Sequence, residues 1–193
     1  MAAKTAAASS VRRATPDDAA AIARVHVESW QSSYRGILSN AFLETLSVAE
    51  RTKHWRRNLT EPDRGIAGIS STGHPGHATF VGLAPDKGVI GFCSAGPNRG
   101  GAPIFAGEVY AIYLLDSAKR QGLGRALFLE AARWLASQQL EPLLVWVLAD
   151  NQPAREFYRA IGGRELEPRL ITIAATSYSE VAYGFFPSPV PAI

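Results

Sequence analysis

Cysteine is nearly absent from this chain, with Cys93 alone among 193 residues. An intrachain disulfide is therefore excluded, and the usage fits a reducing compartment. Cys93 also sits inside the apolar run Val89–Ala95, where a thiol acts as a small buried hydrophobe and not as a nucleophile. No apolar stretch approaches the ~20 residues of a membrane span. The opening MAAKTAAASS lacks the bulky apolar centre of a secretion signal, so a cytoplasmic protein with no membrane partner is expected. Lysine is scarce as well, at 4 against 16 Arg. The formal charge is only +3 and no basic stripe forms, which argues against nucleic acid. A sequence pI near 9.2 still favours small anionic ligands. His74 and His77 lie close together without a Cys or acid cluster, so no metal site is expected; His26 and His54 fall on expected helices as surface or packing residues.

What is present suffices for one domain with a substantial core, since 47% of the residues are hydrophobic. Residues 1–10 and the Pro-rich 187–193 read as loosely ordered ends around a domain spanning 11–186. Within it, Val11–Ala14 is a short strand, and Thr15-Pro16-Asp17-Asp18 starts a helix running to about Trp30. A short helix at Ala41–Leu46 follows, and Ser47-Val48-Ala49-Glu50 forms a capping box for another through Leu59. Asp63–Pro75 reads as a strand interrupted by a turn, and His77–Ala84 with Val89–Gly96 reads as a hairpin. Buried strands are expected at Val109–Leu115 and Leu143–Ala149. Helices follow each, to about Gln139 and at Ala154–Ile161, with closing strands at Arg164–Leu166, Leu170–Ala175 and Ser179–Phe186. This order implies an α/β fold whose mixed, mostly antiparallel sheet carries a central parallel strand pair flanked by helices. Its exposed edge strands make a homodimer plausible.

The richest stretch joins strand, loop and helix. Lys119-Arg120-Gln121-Gly122-Leu123-Gly124-Arg125 places two glycines just before a run of good helix formers. The first N–H groups of a helix lack intrahelical partners and carry partial positive charge, so phosphate oxygens suit them. Gly122 and Gly124 permit close backbone approach, and Lys119, Arg120 and Arg125 supply cations suited to a diphosphate. Leu127 occupies the position where a dinucleotide fingerprint needs Gly or Ala, and the Gly-Lys-Ser/Thr of a P-loop is missing.

Lys119–Gly124 resembles the Q/R-x-x-G-x-G/A pyrophosphate loop of the GNAT superfamily of acetyl-CoA-dependent N-acetyltransferases, with Lys119 where that pattern has Gln or Arg and Asp116 where many members carry proline. Asn151-Gln152-Pro153-Ala154-Arg155-Glu156-Phe157-Tyr158-Arg159-Ala160-Ile161-Gly162 resembles the superfamily's N-x-x-A-x-x-F/Y-Y-x-x-x-G segment. Two motifs in the right order, each behind a buried strand, carry the likeness together. The resemblance implies acetyl-CoA as cosubstrate without a metal, and a small-molecule amine or protein N-terminus as acceptor. The backbone of Ile112, Tyr113 and Leu114 would pair with the pantetheine arm, and Gln121, Gly122, Leu123, Gly124 and Arg125 would bind the diphosphate. Asn151 would bond the pantetheine or hold its loop, while Trp30 and Tyr34 would wall the acceptor site.

The chemistry needs a base, because an aliphatic amine with a pKa near ~10 is protonated at neutral pH, and an acid for a thiolate whose thiol pKa is ~8.5. Tyr158 matches the family's acid. Glu108, an acid amid apolar residues at the start of the central strand, is the base candidate through a relay or a raised pKa. Trp146 occupies the position where some members carry a basic glutamate, which rules that arrangement out. Glu180 and Tyr183 are lesser acceptor-pocket candidates. The expected reaction is direct attack in a ternary complex; the alternative is a noncatalytic acyl-CoA-binding module that would need neither Glu108 nor Tyr158.

Overall fold

Helix starts written into the sequence set the frame. In the computed structural model, which describes residues 9–61, 76–100 and 102–186, Thr15 N–H donates to Asp18 at 2.8 Å. Arg12 clamps the same carboxylate at 2.7 and 2.8 Å, tying β1 (Ser10–Arg13) to the start of α1 (Ala19–Ser33). Ser47 accepts from Glu50 N–H at 3.3 Å and starts α3 (Val48–Thr60), after the short α2 (Asn40–Glu44). The hairpin is β2 (Ala78–Ala84) and β3 (Gly88–Pro97). Then come β4 (Gly107–Leu114), α4 (Leu123–Ser137), β5 (Leu143–Leu148) and α5 (Gln152–Ala160). The last pair is β6 (Arg164–Ile173) and β7 (Thr176–Phe185). The two closing strands expected on either side of Pro168 are one strand, with a register irregularity between Glu165 and Pro168. A proline lacks the N–H for one ladder bond, and this edge strand tolerates that without breaking. Residues 1–8 and 187–193, the strand expected within 63–75 and His74 lie outside the described residues.

Among the described residues, seven strands form one sheet in the order β1-β2-β3-β4-β5-β7-β6. Every neighbour pair is antiparallel except β4 with β5, so the expected mixed sheet with its parallel pair is the fold. One face packs on α4 through Leu127, Ala131 and Leu135, each fully buried, and on α5 through Tyr158. Each leucine there contributes about 1.5–3 kcal/mol. The other face packs on α1 and α3 through Ile22, Val25, Trp55 and Phe92.

One irregularity decides where the site lies. Ser94 pairs with Ala111 and Ala95 with Val109, so Tyr110 is an extra residue bulged out of β4. Alternation along the strand reverses there: Val109 shares the α4 face with Ile112, while Ala111 and Tyr113 face α1. Pairing of β4 with β5 stops at Val109 opposite Val145, and the strands part beyond it.

Among the residues on the α1 side, His26 is a packing residue. Its ring stacks 5.3 Å from Tyr113, and Nδ1 accepts from Trp55 Nε1 at 3.2 Å. Burial first, then the charges of Arg51 and His54, pushes its pKa down to about 3. An unfolded histidine titrates near ~6.5, so the contribution of this neutral ring is complete above that pH and is lost as the pH falls toward about 3. By pH ~5 the loss should reach about 2 kcal/mol. Melting temperatures of the wild type and of His26→Gln, taken at pH ~7 and ~5, check this: the acid-induced drop should be smaller in the variant.

Candidate active site

The parting strands open a cavity of about 670 Å³, within the usual range for small-ligand sites. Its walls are Tyr110–Leu114 of β4, Val145–Val147 of β5, the start of α4 and one face of α5. The β4 edge turned toward β5 has no strand partner past Val109 among the described residues. Backbone donors and acceptors on such an edge are available to an extended ligand.

The glycine loop forms the cavity's polar end. Arg120 and Gly122 both adopt left-handed backbone, at φ 62° and 81°. Gly122 is the N-cap of α4, and a side chain placed there would meet nothing within 4 Å. Open space beside the α4 N-terminus at the cavity is the arrangement that suits a phosphate. Lys119, Arg120, Gly122, Gly124 and Arg125 all border the cavity. Arg120 and Arg125 are exposed and in no ion pair with a described residue, whereas Lys119 bonds Asp116 at 2.6 Å and Ser33 at 3.0 Å. Two loop residues do not border it. Gln121 donates to Ser117 O at 2.7 Å within its own loop, and Leu123 is buried in the core, so only its backbone could serve a ligand.

α5 supplies the opposite wall. Asn151 Oδ1 accepts from Ala154 N–H at 3.3 Å, which caps α5, and the residue also borders the cavity. Two turns on, Tyr158 is buried, yet its hydroxyl bonds no described residue and faces the cavity. Burial, reinforced by the neighbouring Tyr34, raises the Tyr158 pKa and keeps the phenol protonated. Tyr34 lines the cavity, with its hydroxyl 3.4 Å from that of Tyr113. Trp30 does not; its ring packs 5.0 Å from Tyr34 and supports that wall from outside.

Glu108 is fully buried and does not border the cavity. Arg99 N–H donates to one carboxylate oxygen at 2.9 Å, and its guanidinium donates to the other from Nε at 3.1 Å and from Nη2. Residues near the rim that sequence reasoning did not single out are Tyr110, Arg99 and Arg169. A bulge left no period-2 signal for Tyr110, and neither arginine carries any local motif. Cys93 is buried and does not border the cavity, and burial raises its pKa.

A family model described as "Acetyltransferase (GNAT) family" matches residues 37–162. The chain is 33% identical over 175 residues to "Uncharacterized N-acetyltransferase YuaI" of Bacillus subtilis (strain 168), covering 91% of each. It is 42% identical over 74 residues to a mycothiol acetyltransferase of Saccharomonospora viridis, a match covering 38% of this chain and 24% of that one. Among solved structures, the PaiA N-acetyltransferase of Thermoplasma acidophilum in complex with coenzyme A superposes with a TM-score of 0.65 at 19% identity. That superposition covers 92% of this chain and 99% of that one.

Proposed function

Because this chain belongs to the acetyltransferase (GNAT) family, we propose that it transfers an acetyl group from acetyl-CoA to a primary amine by direct attack in a ternary complex. The observation that carries this reading is the cavity between β4 and β5, which has a left-handed glycine loop at one end and a buried, unbonded Tyr158 hydroxyl in its wall. Bound acetyl-CoA supplies a thioester carbonyl open to a neutral amine. The residues fit such a ligand. The Gly122 and Gly124 amides with Arg120 and Arg125 meet a diphosphate, and the unpaired edge of Ile112, Tyr113 and Leu114 meets an amide-bearing arm.

Tyr158 donates the proton that the departing thiolate takes up, and its raised pKa keeps that proton in place at neutral pH. Glu108 is the proton acceptor at one remove. Its carboxylate is bonded to Arg99 and does not border the cavity, so the amine's proton reaches it through water. Tyr34 contacts the acceptor, while Trp30 holds Tyr34 in place. Asn151 serves mainly by capping α5 and so setting where Tyr158 lies.

Calorimetric titration with acetyl-CoA, followed by a screen of primary amines for thiol release, tests the reading. Micromolar binding with release is expected, and absence of binding overturns it. Gly124→Ala adds a sharper result. A Cβ at Gly124 meets the Phe157 ring at 3.5 Å, an ordinary contact, so the fold accepts it. Helix α4 should gain about 0.5–1 kcal/mol, while the new methyl narrows the cavity wall and weakens acetyl-CoA binding by roughly tenfold. Melting temperature and affinity should therefore move in opposite directions.

A further inference from the structure

On the sheet face away from α4, the strands that part at the cavity each present an aromatic ring at the parting point. These are Tyr110 on β4 and Trp146 on β5, and both border the cavity. Each ring is covered by a guanidinium. Arg99 lies 4.3 Å from the Tyr110 ring centre, and Arg169 lies 3.6 Å from that of Trp146. Each guanidinium is held in turn by a buried carboxylate, Arg99 by Glu108 and Arg169 by Glu180, the latter at 2.7 Å. Arg169 Nη1 reaches Gly100 O at 3.4 Å, beside Arg99 in the chain, so the two assemblies adjoin.

The exposures are asymmetric. The carboxylate side chains are 2% and 7% exposed, and the arginines are 45% and 39% exposed. An approaching ligand therefore meets donors first. Arg99 Nη1 and Arg169 Nη2 bond no described residue, while stacking and the buried acids fix both guanidinium planes. Ordinary surface ion pairs contribute little to stability, and burying Glu180 on a strand that continues as Val181, Ala182 and Tyr183 costs free energy. A pre-oriented pair of guanidinium forks is a receptor for a planar anion.

We propose that Arg99 and Arg169 together bind a carboxylate carried by the acceptor, which makes the acceptor an amino acid or another amine bearing a carboxylate. The inference rests on reading the cavity as an acetyl-transfer site. The guanidinia sit one ring thickness from the cavity, across Tyr110 and Trp146. A bound carboxylate would thus anchor the acceptor at the rim with its nitrogen turned inward. An acceptor whose only charge is an ammonium has no acceptor oxygens for the outward Arg99 Nη1 and Arg169 Nη2 donors and gains nothing there.

The test is calorimetric titration of the CoA-saturated protein with the standard L-amino acids and their carboxamides, in matched pairs. At least one acid should bind about tenfold or more tightly than its amide. Arg99→Lys and Arg169→Lys keep a cation for each buried glutamate but lose the fork, and each should cut that advantage to about threefold or less. CoA affinity measured on the same variants reports their fold. Arg169→Lys keeps the test open if Arg99→Lys misfolds, since neither Arg169 nor Glu180 borders the cavity. The inference is overturned if no acid outbinds its amide, or if the advantage survives in a folded variant. Thiol release is read separately: a carboxylate preference without release would remove the transfer reaction and leave the anion site standing.

Discussion

Tyr158→Phe is expected to lower kcat by about 10²–10⁴, the usual loss when a positioned general acid is removed. Acetyl-CoA affinity and melting temperature should barely change, and that contrast is what makes the experiment decisive. The Tyr158 hydroxyl bonds no described residue, so its removal leaves no partner unsatisfied, while the ring keeps its packing on Phe157 and Tyr183. Burial holds the phenol protonated well above neutral pH, so the wild-type rate should show no alkaline fall from this group below its ordinary pKa of ~10. A variant that retains kcat within about threefold would show that the hydroxyl only lines the cavity.

Glu108→Gln should cost about 10² in kcat/KM and also lower stability, and the two losses have separable causes. Stability falls because a buried carboxylate held by three donors from Arg99 becomes a neutral amide that also presents hydrogens to a guanidinium. The expected cost is about 1–2 kcal/mol, limited because Arg99 is 45% exposed and can turn to water. Catalysis falls only if Glu108 receives the amine's proton. The pH profile of kcat/KM separates the two: loss of the acidic limb in the variant marks a base, whereas an unchanged profile shape at reduced yield marks a structural acid. If the amine's proton reaches the carboxylate through water, D2O should slow the wild-type step more than the variant's.

The loop and the second motif were legible because their roles are local. Gly122 must adopt φ 81°, and Asn151 must cap α5, whatever surrounds them. Tyr158 is two turns beyond that cap, so helical spacing alone turns it the same way as Ala154 and Phe157. Trp30 and Tyr34 were harder to separate. They are four residues apart at the end of α1, and only the packing of Phe42 and Tyr113 around them decides that Tyr34 borders the cavity while Trp30 supports it. Gln121 belongs to the loop motif, yet its side chain satisfies Ser117 O instead of facing the cavity.

By itself, the sequence determined the element order, the parallel pair, the glycine turn at α4 and the motifs that place the chain in its family. The glycine turn and each motif rest on backbone conformation and on residues within a few positions of each other, and the parallel pair follows from two buried strands joined through a helix. Tertiary structure alone decided the rest. The bulge at Tyr110 set which side chains face the cavity, and Glu108 was drawn into the grip of Arg99. Arg169, from the edge strand, was laid on Trp146, 23 positions away. Contacts of that kind depend on strand register and on which loops meet across the sheet, and these are settled by packing over long sequence separations.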